Sequence, residues 1–192
     1  MKYLPKIQKA IKFSIKTHEV YQKQKRKGKD IAYITHPLTV GTILAAAGAK
    51  EDVIAAGILH DTIEDSTEEK RVTFEMLEER FGKEVAEGVL SVTETEKDLS
   101  WDERKEEALN HIESFSEDSL LIKSADIVSN VSELIDDYAR YGEEVFGRFN
   151  APKEKVIDNQ IKVINSILEK WEDNPLAEDL KFLLEEIKKI TI

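Results

Sequence analysis

An apolar stretch near residue 55 ends in polar side chains of the kind that bind metal ions or move protons. His60 and Asp61 follow Leu59 directly, and Glu64 and Asp65 come four positions after them. At 3.6 residues per turn, the four polar side chains occupy two adjacent strips at the end of one predicted helix. Burying such groups is costly unless something pairs with them, so the pattern indicates a metal site. A surface helix also produces this spacing by chance, and the stretch alone leaves both explanations open.

Two further positions supply ligand types that suit the same ion. His36 precedes Pro37, and a proline at this point is typical of a helix start. Asp126 lies in a strongly apolar segment, where an ionised carboxylate needs a partner. Together with His60 and Asp61, these residues provide two imidazoles and two carboxylates, a set that suits a first-row divalent ion. The share of oxygen ligands favours manganese, with iron, zinc or magnesium as alternatives.

Asp126 also has a simpler explanation. Lys123, Asp126 and Asn130 share one face of a predicted helix, so the aspartate is equally well explained by a structural ion pair with the lysine. The sequence leaves the two explanations open. His18 and His111 are weaker candidates, and we leave both out of the metal site because each is explained as a packed or surface histidine.

A cluster of cations lies shortly before His36. Five of them occur within seven residues, at Lys23, Lys25, Arg26, Lys27 and Lys29. The favourable effect of positive charge at a helix C-terminus would explain such a cluster without any ligand. In a chain of net charge −11, however, the cluster also resembles a phosphate-binding edge. Arg26 is the preferred candidate, because a planar guanidinium binds two phosphate oxygens at once.

Composition limits the classes of function. A chain of 192 residues, 41% hydrophobic and 35% charged, predicts one soluble globular domain over residues 1–192. The net charge of −11 argues against general nucleic-acid binding. The absence of cysteine excludes disulfides and thiolate ligands, so a metal must be held by nitrogen and oxygen atoms. No apolar run of about 18 residues indicates a membrane span, and we expect a cytoplasmic protein.

Apolar residues recur mostly three and four positions apart, which predicts an all-α chain that folds as a compact multi-helix bundle without strands. The helix that contains the His60 stretch is apolar around most of its circumference, so we expect it to lie centrally. We expect a loop over residues 140–150. Eight of the predicted helices cover residues 5–25, 36–48, 51–65, 73–81, 84–93, 117–138, 152–171 and 176–190, with approximate ends. A further helix is predicted to begin after a capping box at Ser100.

In their order along the chain, these motifs resemble those of the HD-domain metal-dependent phosphohydrolases. More narrowly, they are similar to the hydrolase domain of the RelA/SpoT group, which includes stand-alone small alarmone hydrolases. The resemblance covers roughly residues 5–170, with the helix at 176–190 appended. The motifs that carry it are Arg26-Lys27-Gly28, Tyr33-Ile34-Thr35-His36-Pro37, Leu59-His60-Asp61-Thr62-Ile63-Glu64-Asp65 and Lys123-Ser124-Ala125-Asp126 through Asn130.

The resemblance implies hydrolytic removal of pyrophosphate from the 3′ position of guanosine tetra- or pentaphosphate. It implies that the four ligand candidates named above bind one manganese ion. It further implies that Glu64 and Asp65 serve the water chemistry. Finally, it implies that Arg26, Lys27 and Asn130 contact the nucleotide or its phosphates.

Two departures from the family pattern keep other functions open. Ile127 stands where related sequences often carry arginine or lysine, and the segment after Asn150 lacks aromatic residues found in related bacterial sequences. A second hypothesis is therefore hydrolysis of another nucleotide or a dinucleotide at the same metal site. A third is a non-catalytic module that binds a nucleotide or a partner. The sequence does not indicate an oligomeric state.

Overall fold

The computed structural model describes residues 4–94 and 99–190. Within these ranges the chain is helical, and its only extended pairing is an isolated antiparallel bridge between Lys25 and Ala32. The all-α prediction is confirmed. No helix in the described part is long and apolar enough to cross a membrane. The chain divides into two compact units, Met1–Thr95 and Glu96–Ile192, so one domain over the whole chain stays a prediction.

The first unit is built around one buried helix. This helix, α3, packs against α1, α2 and α6, and every residue from Val53 to Leu59 is buried. Its central position was predicted from its apolar circumference and is confirmed. The α-helices of the unit are α1 (Pro5–Ile15), α2 (Thr35–Ala46), α3 (Glu51–Leu59), α4 (Thr62–Asp65), α5 (Phe74–Phe81) and α6 (Lys83–Val92). A π-helix (Lys16–Tyr21) and a 3₁₀ turn (Glu68–Lys70) complete the described elements of this unit.

The prediction of one α-helix from residue 5 to residue 25 is wrong. Helix α1 ends at Ile15 and continues as the π-helix, in which His18 is fully buried. Lys23 adopts a left-handed conformation with φ of 51°, and the backbone N–H of Gln24 donates to the His18 carbonyl over 2.9 Å. The wider turn and this backbone reversal end the helical region before Lys25.

Helices α2 and α3 cross closely because each contributes a glycine. A Cβ atom on Gly41 would lie 2.5 Å from Cγ1 of Ile58, and one on Gly57 would lie 2.2 Å from Cδ1 of Leu44. Ile58 and Leu44 are both buried, so neither side chain has free space to move into. The crossing holds the first turn of α2 against the C-terminal end of α3, the two places that carry the candidate histidines.

The prediction of a continuous helix from residue 51 through residue 65 is also wrong. Helix α3 ends at Leu59, and a turn at His60 and Asp61 precedes α4. The Thr62 hydroxyl donates to the Leu59 carbonyl over 2.7 Å, and His60 Nδ1 donates to the Gly57 carbonyl over 2.8 Å. These side chains satisfy carbonyls that a longer helix would bond through backbone amides, which allows the helix to turn here.

In its described part, residues 99–190, the second unit has four α-helices around one apolar core. Helix α8 contacts α9, α10 and a 3₁₀ helix, and α7 contacts α9. The described elements are α7 (Trp101–Ile112), α8 (Glu117–Tyr141), the 3₁₀ helix Gly142–Arg148, α9 (Lys153–Lys170) and α10 (Ala177–Lys189). Ser100 forms the predicted capping box with Glu103.

The loop predicted over residues 140–150 is instead mostly the 3₁₀ helix, whose Val145 and Phe146 join the core. Arg148 fixes its end by donating to Asp137 over 2.6 Å. The apolar residues that anchor this segment in the core are too few to produce a helical periodicity, so the sequence pattern predicts a loop.

Candidate metal centre

The side chains of His36 and His60 meet in the first unit. Their Nε2 atoms lie 3.3 Å apart, and the two residues are only 4% and 5% exposed. Asp61 Oδ2 lies 3.1 Å from His60 Nε2 and 3.7 Å from His36 Nε2. These separations are the ones expected between ligand atoms that each lie about 2.0–2.2 Å from one shared ion. Two imidazole nitrogens and one carboxylate oxygen therefore converge with a spacing that suits a single metal ion.

The protonation of the His60 ring is set by the backbone. Its Nδ1 lies 2.8 Å from the Gly57 carbonyl, which accepts hydrogen bonds only, so Nδ1 carries the proton. The neutral ring then presents the Nε2 lone pair towards His36 and Asp61. Metal-binding histidines are commonly oriented by such a bond from the second ring nitrogen. The donor set, with nitrogen and oxygen atoms alone, fits a first-row divalent ion.

Tyr33 holds the carboxylate of this centre. Its hydroxyl donates to Asp61 Oδ2 over 2.5 Å. Burial, with the nearby charges of Asp61 and Asp65, raises the pKa of Tyr33 above its ordinary value, so the hydroxyl keeps its proton and remains a donor. The guanidinium of Arg26 lies 5.6 Å from the centre of the Tyr33 ring. Tyr33 therefore links the metal centre to the cation that the sequence singled out for phosphate binding.

A tight turn positions Arg26. Its backbone N–H donates to the Ile31 carbonyl over 2.8 Å, and Gly28 within the turn has φ of 71°, a conformation that favours glycine. Arg26 is half-buried, whereas Lys27 is exposed on the same turn. Of the two predicted phosphate contacts in this motif, Arg26 is thus the one that approaches Tyr33.

Glu64 has an acidity suited to accepting a proton near neutral pH. Burial, reinforced by the charges of Asp61 and Glu94, raises the pKa of Glu64 to about 7. The backbone N–H of Glu94 donates to Glu64 Oε2 over 3.2 Å and opposes part of this rise. A general base works best when its pKa lies near the working pH. Glu64 meets this condition.

Asp65 is held by a chain of two hydrogen bonds. Gln24 Nε2 donates to Asp65 Oδ2 over 2.8 Å, and His18 Nδ1 lies 2.9 Å from Gln24 Oε1, to which it donates. Burial raises the pKa of Asp65, and the bond from Gln24 opposes that rise. The His18 ring packs 5.0 Å from that of Tyr33. His18 is thus a packed histidine, one of the two explanations that the sequence offered.

The sequence assigned no role to Gln24 or Tyr33, although both touch the carboxylates of the centre. Tyr33 stands three positions before His36 and Gln24 two positions before Arg26. Their proximity to candidate residues, and for Tyr33 its place in a motif of the family resemblance, did not predict these bonds, because the bonds to Asp61 and Asp65 join segments that are distant along the chain.

In the second unit, Asp126 accepts two hydrogen bonds from its own helix. Lys123 Nζ donates to Asp126 Oδ2 over 2.9 Å, and Asn130 Nδ2 donates to Oδ1 over 2.6 Å. The lysine–aspartate pair that the sequence offered as an alternative is therefore formed, on a face where the two side chains are 22% and 13% exposed. The roles of Asp126 as a ligand and Asn130 as a nucleotide contact stay predictions.

The chain is similar to a known domain family and to several known proteins. The HD domain matches residues 10–154. The guanosine-3′,5′-bis(diphosphate) 3′-pyrophosphohydrolase MESH1 of Drosophila melanogaster is 32% identical over 143 residues, which cover 72% of this chain and 77% of that protein. MESH1 of Xenopus tropicalis is 38% identical over 119 residues, covering 60% of this chain and 64% of the relative.

A longer bacterial relative shares the same region. The guanosine-3′,5′-bis(diphosphate) 3′-pyrophosphohydrolase of Aquifex aeolicus is 38% identical over 130 residues, or 67% of this chain. The match spans only 18% of that protein. This chain therefore corresponds to a small part of the Aquifex relative and to less than two thirds of the Xenopus one.

Two solved structures share the fold. One is described as a metazoan orthologue of SpoT that hydrolyses ppGpp, and it aligns with a TM-score of 0.76 and 25% identity over 98% of this chain and 97% of its own. The other comes from Listeria monocytogenes EGD-e, with a TM-score of 0.71 and 28% identity over 81% of this chain and 97% of its own.

Proposed function

We propose that this chain, which belongs to the HD domain family, is a phosphohydrolase that depends on a divalent metal ion. The family resemblance predicted from the sequence motifs is confirmed by the match over residues 10–154. The observation that carries the proposal is the convergence of the Nε2 atoms of His36 and His60 with Asp61 Oδ2. No simple packing role requires two buried imidazoles to direct these atoms at one carboxylate.

The proposed ion is manganese, with Asp126 of the second unit as the fourth ligand. Two imidazoles with two carboxylates form a mixed set in which the oxygen share favours manganese over softer ions. When bound, the ion supplies a Lewis acid and lowers the pKa of a water that it coordinates. Tyr33 supports the set by holding Asp61 through its hydroxyl.

Two carboxylates act on the attacking water. Glu64 takes the proton from the attacking water, because burial and neighbouring charges bring its pKa to about 7. Asp65 orients that water, and Gln24 fixes the direction of the Asp65 carboxylate through the bond at 2.8 Å. The family resemblance implies that both residues serve the water chemistry, and the division of roles between them is proposed from the raised pKa of Glu64 and the bond from Gln24 to Asp65.

The proposed substrate is guanosine 3′,5′-bis(diphosphate). The named activity of the relatives supports this choice. Water attacks the phosphorus joined to the 3′ oxygen, that phosphorus–oxygen bond breaks, and pyrophosphate leaves with the water oxygen while guanosine 5′-diphosphate keeps the 3′ oxygen. Arg26, Lys27 and Asn130 bind phosphates or the nucleotide, and positive charge placed there stabilises the transition state.

A second candidate is hydrolysis of a less highly charged nucleotide or a dinucleotide. Ile127, which replaces a cation of the family pattern, is only 4% exposed and belongs to the apolar core of the second unit. Val156 and Ile157, in the segment without aromatic residues, are buried in that same core. These positions therefore offer a substrate neither a cation nor an exposed ring.

A product assay tests the proposed function. Protein freed of metal and then supplied with manganese is incubated with guanosine 3′,5′-bis(diphosphate) and with a panel of other nucleotides and dinucleotides, and orthophosphate, pyrophosphate and nucleosides are resolved. We expect pyrophosphate and guanosine 5′-diphosphate in equal amounts, with turnover lost in Glu64→Gln/Asp65→Asn. Turnover of another nucleotide alone would favour the second candidate. Tight nucleotide binding without any turnover would favour a non-catalytic module.

A further inference from the structure

A second group of cations lines a cavity of about 230 Å³ in the first unit. Residues of the π-helix, the 3₁₀ turn at Glu68–Lys70 and helix α5 surround this cavity, and no residue of the metal centre lines it. One carboxylate, that of Glu69, also faces it. The four cationic residues of the cavity are Lys16, Lys70, Arg71 and Arg80.

The cavity carries a net positive charge, because four cations and only the carboxylate of Glu69 line it. Across residues 4–94 and 99–190, none of its four cations forms an ion pair. Other exposed lysines do, such as Lys25 with Asp30 at 2.7 Å and Lys155 with Asp102 at 2.6 Å. In a chain of net charge −11, an unpaired group of four cations creates a local field that attracts anions.

Aromatic faces contact three of these four cations without cancelling their charge. The ammonium groups of Lys16 and Lys70 lie 5.4 Å and 5.6 Å from the centre of the Tyr21 ring, and the Arg80 guanidinium lies 5.4 Å from that of Phe13. A hydrogen bond with Lys16, assisted by the charges of Lys16, Lys70 and Arg80, lowers the pKa of the Tyr21 hydroxyl. Lys16, Lys70 and Arg80 are therefore positioned at the cavity by ring contacts that leave their charge available to an anion.

The remaining lining is apolar or neutral. Val72 and Thr17 are buried, and Met76 is half-buried beside them. Cations around a small cavity match a ligand that is compact and carries several negative oxygens, because charge-assisted hydrogen bonds to such oxygens are strong. We infer that this cavity binds a compact phosphate-bearing anion, either inorganic pyrophosphate or the diphosphate end of a nucleotide. The site is separate from the metal centre and does not rest on the proposed hydrolase activity.

Met76 offers a direct probe of this cavity. It is one of two methionines in the chain, so protein labelled with ¹³C in the methionine methyl groups gives two signals, and Met76→Leu identifies the one from the cavity. Pyrophosphate and guanosine 5′-diphosphate are titrated separately at constant ionic strength. We expect the Met76 signal to shift saturably. Saturation with pyrophosphate identifies the inorganic anion as sufficient, saturation with the nucleotide alone assigns a nucleotide ligand, and no saturable shift with either overturns the inference.

Charge variants separate this site from the metal centre. Lys70→Gln/Arg71→Gln should weaken the affinity reported by Met76 by at least about tenfold, because two charge-assisted hydrogen bonds are lost. Lys12→Gln/Lys83→Gln removes the same charge from exposed positions outside the cavity and should leave the affinity within about twofold of wild type. Arg26→Ala should also leave it unchanged. If Arg26→Ala abolishes the shift while the Lys70/Arg71 variant retains it, the anion binds elsewhere and the inference is wrong.

Discussion

The Nε2 atoms of His36 and His60 lie 3.3 Å apart although the two residues are 24 positions apart in the chain. The crossing of α2 and α3 produces this proximity, and the bond from His60 to the Gly57 carbonyl turns the correct nitrogen inward. The packing of α2 against α3 brings the two imidazoles together, and the protonation of the His60 ring orients its Nε2 lone pair towards His36. Changes to the crossing should therefore alter metal binding without touching a ligand.

Gly41→Ala tests this link between packing and metal binding. The added methyl group would lie 2.5 Å from Ile58 Cγ1, so the helices must separate or Ile58 must leave its rotamer. Such overpacking costs about 1–3 kcal/mol of unfolding free energy. We expect that loss in urea denaturation, together with weaker manganese binding in a competition titration.

Gly48→Ala serves as the control, because a Cβ at Gly48 meets nothing within 4 Å although its φ of 76° strains an alanine. This variant should lose stability through backbone strain but keep the affinity for manganese. Equal manganese affinity in Gly41→Ala and wild type would show that the crossing does not position the ligands.

Glu64→Gln tests the raised pKa of Glu64. The pKa of Glu64 is about 7 in the folded protein and near 4.5 in the unfolded chain, so the folded state binds more protons between these values. Stability from this group is therefore present at low pH and is lost as the pH rises through about 7. In metal-free protein, Glu64→Gln should raise the denaturation midpoint more at pH 8 than at pH 5.

The exposed Glu78 provides the matched comparison, since Glu78→Gln should change the midpoint equally at the two pH values. A gain from Glu64→Gln that is the same at pH 5 and pH 8 would remove the evidence for a carboxyl group tuned by burial.

Gln24→Ala tests the positioning of Asp65. The substitution removes the bond at 2.8 Å to Asp65 and the partner of His18 Nδ1. Loss of a hydrogen bond to a charged group costs about 1.5–3 kcal/mol, which corresponds to at least about a tenfold loss of kcat. We expect kcat to fall more than KM changes, and the pH profile of kcat to shift upward because the bond from Gln24 normally lowers the pKa of Asp65. Lys23→Ala, at an exposed neighbouring position, is the control and should have little effect on kcat or KM. A Gln24→Ala enzyme with wild-type kcat would exclude the positioning role of Gln24.

Asp137→Asn tests the ion pair that ends the 3₁₀ helix of the second unit. Asp137 and Arg148 are 11% and 16% exposed and lie 2.6 Å apart, so removing one charge leaves the other poorly solvated. We expect a loss of about 2–4 kcal/mol in unfolding free energy. Glu143→Gln breaks a pair of the same length with a carboxylate that is 65% exposed, and should cost clearly less than Asp137→Asn because solvent screens that pair. Similar losses in the two variants would contradict the assigned role of burial.

Periodicity and capping residues predicted most of the helices, because those signals act within a few residues of the chain. Ser100 accepts a backbone bond of its helix as predicted, and Thr73 and Ser116 do the same for theirs. The π-helix and the turn at His60 were not predicted. In each, a threonine hydroxyl donates to a backbone carbonyl, from Thr17 to Phe13 and from Thr62 to Leu59, and helical periodicity does not reveal such bonds.

Residue chemistry predicted the pairing of His36 with His60 and Asp61, since buried polar groups need partners. It did not reveal that Gln24 and Tyr33 hold the carboxylates, because an amide and a phenol occur in many surroundings without such a role. The cationic cluster made Arg26 a candidate phosphate contact, which stays a prediction. Its contact with the Tyr33 ring became visible only in the folded chain.

The most direct test of the central claim is the metal content of the protein. Wild type and His60→Ala are stripped with a chelator, reloaded with manganese, desalted and analysed for bound manganese per chain, with circular dichroism to confirm that both are folded. The convergence of His36, His60 and Asp61 predicts close to one ion per wild-type chain and almost none in folded His60→Ala. Equal manganese content in the two proteins would contradict the assignment of this centre.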